Sequence, residues 1–378
     1  MKFTIQVPES MRIMKLSRIM DERRLAGEPT TLRMLLNEMY PKYNPDNPAM
    51  NLEKYYQDMG ITFHRTTVSN MIELAESSEE YKWLWKETLL AAIHTAAYTD
   101  PLHLLIIAYS KTHTGKVATM PMIDTSDMRS SYKKEKAVAA GGTFEEDSIT
   151  FTDKTKKYQK FGKTLKIPYE VISDCTLDVI SEFMKGYMGI VFDGKLDMVL
   201  DALISGDGAT NSLEQAVDSS AAEIGVDNTT NGIQFKDIKR GAIRLSRLKK
   251  PADVMIGSEA MINNITELEE FKKRYEGTPL SPLTINGYKS LPDAALITDT
   301  VNENDLVLVS KNNAVAEFIK QALMIETDKI ISRQMIEVVI SEWLCYLNIF
   351  RDAKLIIDGS KAFSSNGFPS WMTVTKGK

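Results

Sequence analysis

Apolar residues recur three and four positions apart from Leu177 to Leu203: Leu177, Ile180, Met184, Tyr187, Met188, Val191, Leu196, Val199, Leu200 and Leu203. That spacing predicts one helix over 177–203, about 40 Å long at a rise of 1.5 Å per residue. Gly186, Gly189 and Gly194 weaken it and predict close packing. Ser205-Gly206-Asp207-Gly208 stops it. A second, broken stripe (Met71, Leu74, Ala75, Leu84, Leu89, Ile93) predicts helix within 66–97, capped by Thr67 or Ser69. Trp83 and Trp85 lie inside it and read as packing residues.

Further on, the two periods alternate. Helices are predicted over 235–248 and 258–271, the latter capped by Ser258. Short strands are predicted over 252–256, 285–288, 294–297 and 306–309. Together they make a compact α+β lobe over 232–327. The polar stretch 209–232 reads as a loop. Met335 to Phe350 is a β-branched and aromatic run with both faces apolar, as in a central strand. Residues 359–378 read as a tail. Pro41, Pro45 and Pro48 break the first sixty residues, which read as an extended arm with one or two helices.

The segment 117–168 is the most unusual. It reads as a long β-hairpin with its tip near Ala139-Ala140-Gly141-Gly142-Thr143. The returning arm, 148–167, would extend about 65 Å if fully strand-like. A compact chain of this length has a radius of gyration near 21 Å, so such an arm would project. Its lysines (Lys154, Lys156, Lys157, Lys160, Lys163, Lys166) resist random edge pairing. Its apolar residues, Tyr158 and Phe161 among them, call for a partner, and another subunit is the natural one. Lys154, Lys156, Lys157, Tyr158, Lys160 and Phe161 are therefore the candidate intersubunit contact. Nucleic acid is the competing partner for these lysines. The aromatic interleaving is thin, however, and Glu145, Glu146, Asp147 and Asp153 adjoin them.

Composition narrows the classes. The 378 residues carry 46 basic and 51 acidic side chains, a formal charge of −5. A basic excess typical of nucleic-acid binders is absent. No apolar stretch approaches the roughly 18 residues of a membrane span, and the N-terminus shows no secretion signal. Two cysteines, Cys175 and Cys345, are too few for a disulfide framework, and a reducing compartment fits them.

Candidate chemistry is sparse. His64, His94, His103 and His113 form no helical zinc motif, and no cysteine pair supports a metal. Cys175 precedes the long helix, where a thiol pKa can fall, but no histidine adjoins it in sequence; a packed residue is the plainer reading. Asp193, Asp197 and Asp201 share a helix face, which would bind a cation, meet lysines of a neighbour, or simply be solvated. Gly206-Asp207-Gly208 lacks the phosphate-loop pattern and reads as a turn. No catalytic constellation and no cofactor site emerge, so the chain is expected not to be an enzyme.

Three stretches in order carry a resemblance. Ile149-Thr150-Phe151 runs through Gly162 and Lys163 into Ile167-Pro168-Tyr169-Glu170-Val171-Ile172-Ser173-Asp174. The long helix runs into Leu203-Ile204-Ser205-Gly206-Asp207-Gly208. Arg333 to Ile357 includes Phe350-Arg351-Asp352-Ala353-Lys354. This order, over about 66–358, resembles the major capsid proteins of tailed bacteriophages, which have the Hong Kong 97 capsid fold.

The resemblance implies an α+β chain with an N-terminal arm (1–116), an extended loop (117–168), a peripheral domain (169–231 and 328–358) with a spine helix, and an axial domain (232–327). It implies pentamers and hexamers that close an icosahedral shell around double-stranded DNA. It further implies a scaffolding protein, a portal, decoration proteins in some cases, assembly in the host cytoplasm, residence in the virion, and no membrane partner. The short, proline-broken N-terminus implies that the scaffold is a separate protein. No lysine–asparagine crosslink can be aligned. An encapsulin-like nanocompartment shell around an enzyme cargo, and a soluble α+β enzyme, are the alternatives.

Overall fold

The computed structural model describes residues 61–62, 65–77, 102–122, 152–211, 214–271 and 291–372, with residues 23, 35, 56, 85 and 88–89. The arm, the hairpin tip and the strand expected over 285–288 lie outside the described residues, as do Trp83, His64 and His94.

In chain order, α1 is Val68–Ser77, β1 Ile107–Thr112, β2 Val117–Met122, β3 Thr152–Lys157 and β4 Gln159–Pro168. There follow α2 (Tyr169–Asp174), α3 (Leu177–Ile204), β5 (Thr210–Asn211), β6 (Ala222–Val226) and α4 (Phe235–Arg247). Then come β7 (Val254–Gly257), α5 (Glu259–Thr266), β8 (Ala294–Ile297) and β9 (Asp305–Val309). Two long strands, β10 (Val315–Ile330) and β11 (Met335–Asn348), and finally β12 (Lys354–Ala362) complete the chain.

The chain divides into two compact units: 1–101 with 160–193 and 321–343, and 102–159 with 194–320 and 344–378. In the first, Thr67 caps α1, its Oγ1 accepting from Asn70 N at 3.3 Å. The backbone then clasps the chain between α2 and α3: Val68 N donates to Cys175 O at 3.0 Å, and Leu177 N to Thr66 O at 3.1 Å. Cys175 is thus the C-cap of α2. Strand β4 lies beside β11 in the sheet order β1-β10-β11-β4. Gly162 makes that approach possible, because a Cβ there would sit 2.5 Å from Ile340 O.

The second unit holds a five-stranded sheet, order β6-β12-β9-β7-β8. Helix α4 covers it with Ile238, Ala242 and Leu245, all buried against Leu308, Leu355 and Ile357. Gly241 lets the helix come close, since an added Cβ would lie 2.9 Å from Leu308 Cδ1 and 3.0 Å from Leu355 Cδ2. At the helix start, Asp237 accepts from Gln234 N at 3.1 Å. Ser258 caps α5 as expected, accepting from Met261 N at 3.2 Å.

Several expectations need correcting. The returning arm is not one strand: it breaks at the buried Tyr158. Only β3 continues the hairpin, pairing antiparallel with β2 from Val117↔Lys157 to Met122↔Thr152. Its second half, β4, is an edge strand of the other sheet, so the length argument for projection does not extend to 159–168. The stretch 209–232 contains β6, an edge strand parallel to β12. The helix from Ser258 ends at Thr266 rather than at 271.

Residues 359–372 are no tail. Strand β12 runs to Ala362, and Met372 is buried in the core of the five-stranded sheet. Arg240 stacks on Phe363 and Arg244 on Phe368, each 4.1 Å from the ring centroid, which straps this segment to α4.

Candidate functional site

The hairpin is rooted in a buried polar knot, and its lysines divide between that knot and the surface. Strand alternation sends Lys154 to one face of β3 and Lys157 to the other. Lys154 is 2% exposed. Its Nζ donates to Asp207 Oδ2 at 2.7 Å and to the carbonyl of Asn348. Lys154 is therefore not available to a neighbouring subunit: a cation with its partners inside the protein would have to abandon them. Tyr158 is likewise buried.

Lys156 is half-buried and reaches Tyr346 O at 3.3 Å. Lys157 and Lys160 are exposed and Phe161 is half-buried. These four residues remain as the candidate contact. Lys163 lies over the Tyr187 ring at 5.9 Å.

Asp207 is the hub. It stands between Gly206 (φ 104°) and Gly208 (φ 64°), two left-handed positions that suit glycine. This turn, directly after α3, aims the carboxylate inward. Asp207 Oδ1 accepts from Ser219 Oγ at 2.7 Å and from Ala209 N at 3.1 Å. Its Oδ2 also accepts from Asn348 N at 2.8 Å. The Asn348 amide donates to Ala202 O at 2.6 Å and to Ser219 O at 3.2 Å. One residue pair thus ties together the root of the hairpin, the end of α3, the loop before β6 and the end of β11.

Burial pushes the Asp207 carboxyl up, but the Lys154 ammonium and the donors from Ser219 and Asn348 outweigh it. The group is held below the usual carboxylate range. Burial pulls the Lys154 ammonium down, with Asp207 opposing and Lys156 adding to the fall. Lys354, at the start of β12, is fully buried, and its Nζ has no hydrogen-bond partner among the described residues. Burial drives it well below the ordinary lysine range; Asp207 opposes this, while Lys154 and Arg351 reinforce it.

The other sequence candidates are not brought together. Among the described residues no three His, Cys, Asp or Glu side chains are grouped to hold a metal ion. His103 is buried, and burial, then the charge of Lys195, push its imidazole down to about 4. His113 accepts from Gly115 N at 3.0 Å. Cys345 is buried, which pushes its thiol up to about 11. Asp193, Asp197 and Asp201 are exposed, and Asp197 accepts from the Thr300 hydroxyl.

Ser219 and Asn348 carry no signal in the sequence reading, which met Asp207 only as part of a turn and Lys354 only within the stretch 350–354. The available signals were an aspartate between two glycines and a lysine opening the apolar run Leu355-Ile356-Ile357.

No family model matches the chain, and no curated protein matches it in sequence. Among solved structures it is similar to a virus-like particle from Pyrococcus furiosus, with TM-score 0.48 and 11% identity over 72% of this chain and 97% of that one. It is also similar to the capsid of an empty GTA particle, with TM-score 0.49 and 11% identity over 68% and 90% of the two chains. An encapsulin complex from Synechococcus elongatus is similar at TM-score 0.42 and 10% identity, over 67% and 85%.

Proposed function

We propose that this chain is a self-assembling shell subunit, the major capsid protein of a tailed phage. The observation that carries the reading is the order of elements. A hairpin root (β2–β3) leads through the Pro168-Tyr169-Glu170 junction into a 28-residue helix. That helix ends in a glycine-aspartate-glycine turn, an α/β lobe follows, and two long strands come next. This is the order expected of a Hong Kong 97-type subunit with extended loop, spine helix and axial domain.

The hairpin root also suits a projection held in a fixed place. Among the described residues its sheet has three strands, order β2-β3-β5, and β5 is two residues long. So small a sheet has little packing of its own to stabilise it. The Lys154–Asp207 knot supplies a fixed base instead. Lys156, Lys157, Lys160 and Phe161 then meet a second copy, and many modest contacts sum over a closed shell of pentamers and hexamers. Double-stranded DNA is the enclosed cargo. A separate scaffolding protein, a portal and any decoration proteins are the other partners. Assembly takes place in the host cytoplasm and the product is the virion. No step of this function is catalytic.

Negative-stain electron microscopy of the recombinant chain, alone and with its neighbouring genes, tests the reading. Closed shells or capsomer rings are expected, and deletion of 135–155 is expected to leave a folded subunit that does not assemble. Nucleic acid inside the shells supports the phage reading; a protein cargo points to a nanocompartment. A persistent monomer in both conditions would overturn the proposal.

A further inference from the structure

The polar knot under the hairpin is incompletely satisfied. Lys354 Nζ, Asn348 Oδ1 and the Tyr158 hydroxyl are all buried without a hydrogen-bond partner among the described residues. Asn348 belongs to the knot, and Tyr158 directly follows β3. Lys354 is fixed from the other side. It opens β12, which lies between β6 and β9, and its register partner on β9 is the apolar Val309. The charges that act most on its amine are Asp207 and Lys154, the two halves of the knot, followed by Arg351 and Asp218. All of these residues belong to the second compact unit.

The carboxylates around this amine are already engaged. Asp207 holds Lys154 at 2.7 Å, together with donors from Ser219, Ala209 and Asn348. Asp218, on the loop before β6, holds Arg351 at 2.6 Å and the Ser220 hydroxyl at 2.7 Å. Asp352, beside Arg351 in the turn before β12, is paired with Lys250. Lys156 on β3 and the Cys345 thiol on β11 also lie near the Lys154–Asp207 pair. An ammonium at Lys354 would add a further cation beside Lys154 and Arg351, with no carboxylate left to receive it. Inside the closed knot the amine is therefore kept neutral.

The two sides of the knot differ in how firmly they are held. Lys354 sits in the five-stranded sheet, whose Leu308, Leu355 and Ile357 are fully buried. Lys154 sits on β3, which pairs with β2 and with the two-residue β5. A small sheet opens more readily than a packed core, so β3 is the side that yields. We infer that Lys354 couples the hairpin root to a proton: when β3 lifts from the knot, the amine reaches water and binds a proton, so acidification favours the lifted root. This goes beyond the shell reading and does not depend on it.

The sign follows from linkage. Between the ordinary lysine range and the lower value inside the closed knot, the lifted root binds one proton more than the closed root. Lifting is promoted as pH falls through that window, by up to about tenfold per pH unit. Amide hydrogen exchange reads this directly. It is followed by mass spectrometry on the full-length, unassembled chain between about pH 6 and 9, below the free lysine range, and corrected for the intrinsic rate. In the wild type, protection of 152–157 is expected to fall as pH is lowered, by up to about tenfold per unit.

The decisive variant is Lys354→Met. It is expected to stay folded, to lose most of the pH dependence, and to gain more protection at the acid end than at the alkaline end. A substitution that merely stabilised the chain would raise protection equally at every pH. Protection of 152–157 that does not change with pH in the wild type would overturn the proposal. So would the same dependence in Lys354→Met, which would assign the proton to another group such as Lys154. A Lys354→Met chain that is unfolded, or less protected at every pH, would show that the amine holds the root closed and would also overturn it.

Discussion

The five-stranded sheet and the hairpin root are held together in opposite ways. Under α4 the cohesion is apolar: Ile238, Ala242 and Leu245 meet Leu308, Leu355 and Ile357, all fully buried. At the root of β3 it is polar: one carboxylate collects Lys154, Ser219 and Asn348. The apolar contact is tolerant, because any side chain of similar size restores most of it. The ionic one is not, because removing one partner strands the other in a medium that cannot solvate it. The hairpin root gains a fixed position from the second kind of contact, and the sheet gains general stability from the first.

The contrast is open to measurement. Asp207→Ala leaves Lys154 buried without its counter-ion and is expected to cost about 3–5 kcal/mol in urea melts. A Lys154→Met, Asp207→Leu double variant should recover most of that loss. A double variant no better than the single would mean that the knot is not organised around this pair. Leu308→Ala, in the apolar sheet core, should cost about 2–5 kcal/mol, with no rescue from any charge change.

Lys354→Met is expected to act in the opposite sense and stabilise by about 1–3 kcal/mol, because it removes a buried amine that has no hydrogen-bond partner among the described residues. The sign with pH follows from the depressed lysine. Below its ordinary range near 10.4 the unfolded chain binds a proton that the folded chain resists. Stability therefore falls as pH is lowered from that range toward the folded-state pKa. The depressed Asp207 acts at the acid end: its contribution is present above the unfolded carboxylate range and is lost as pH falls through its lower folded value. Melts of Lys354→Met should lose much of the alkaline slope and keep the acid one; an unchanged alkaline slope would assign it to other groups.

The smallest effect on stability is expected at the surface. Lys157→Ala with Lys160→Ala should shift subunit stability by less than about 0.5 kcal/mol, since both side chains are exposed. If these lysines meet a second copy, the yield of closed shells should nevertheless fall. Unchanged yield would remove them from the interface.

Periodicity placed α3 within one residue of its end; the cap Ser258 was legible because a cap is a local event, and for α1 the structure chose Thr67 over Ser69, which the sequence left open. Strand β11 was legible as central, and it lies between β10 and β4. The 16-residue β10 was not. It mixes Glu317, Lys320, Gln321 and Glu326 among apolar residues, because much of its length is only half-buried. Its identity as a strand comes from neighbours on both sides, not from its own pattern. The apolar residues of 363–372 were few and scattered, so the strap formed by Phe363, Phe368 and Trp371 was invisible without α4 beneath it.

The lysine run shows the limit most clearly. Lys154, Lys156 and Lys157 are near neighbours in sequence with the same side chain, and the first is buried, the second half-buried, the third exposed. Sequence alone determined that this stretch is a basic strand, that a long helix follows, and that a glycine-aspartate-glycine turn ends it, because pleat, helical period and turn are properties of short segments. Only the tertiary structure decided which lysine would be enclosed. That depended on Asp207 and Asn348, 53 and 194 residues away along the chain. Burial of a charge is worth its cost only where distant residues converge to solvate it.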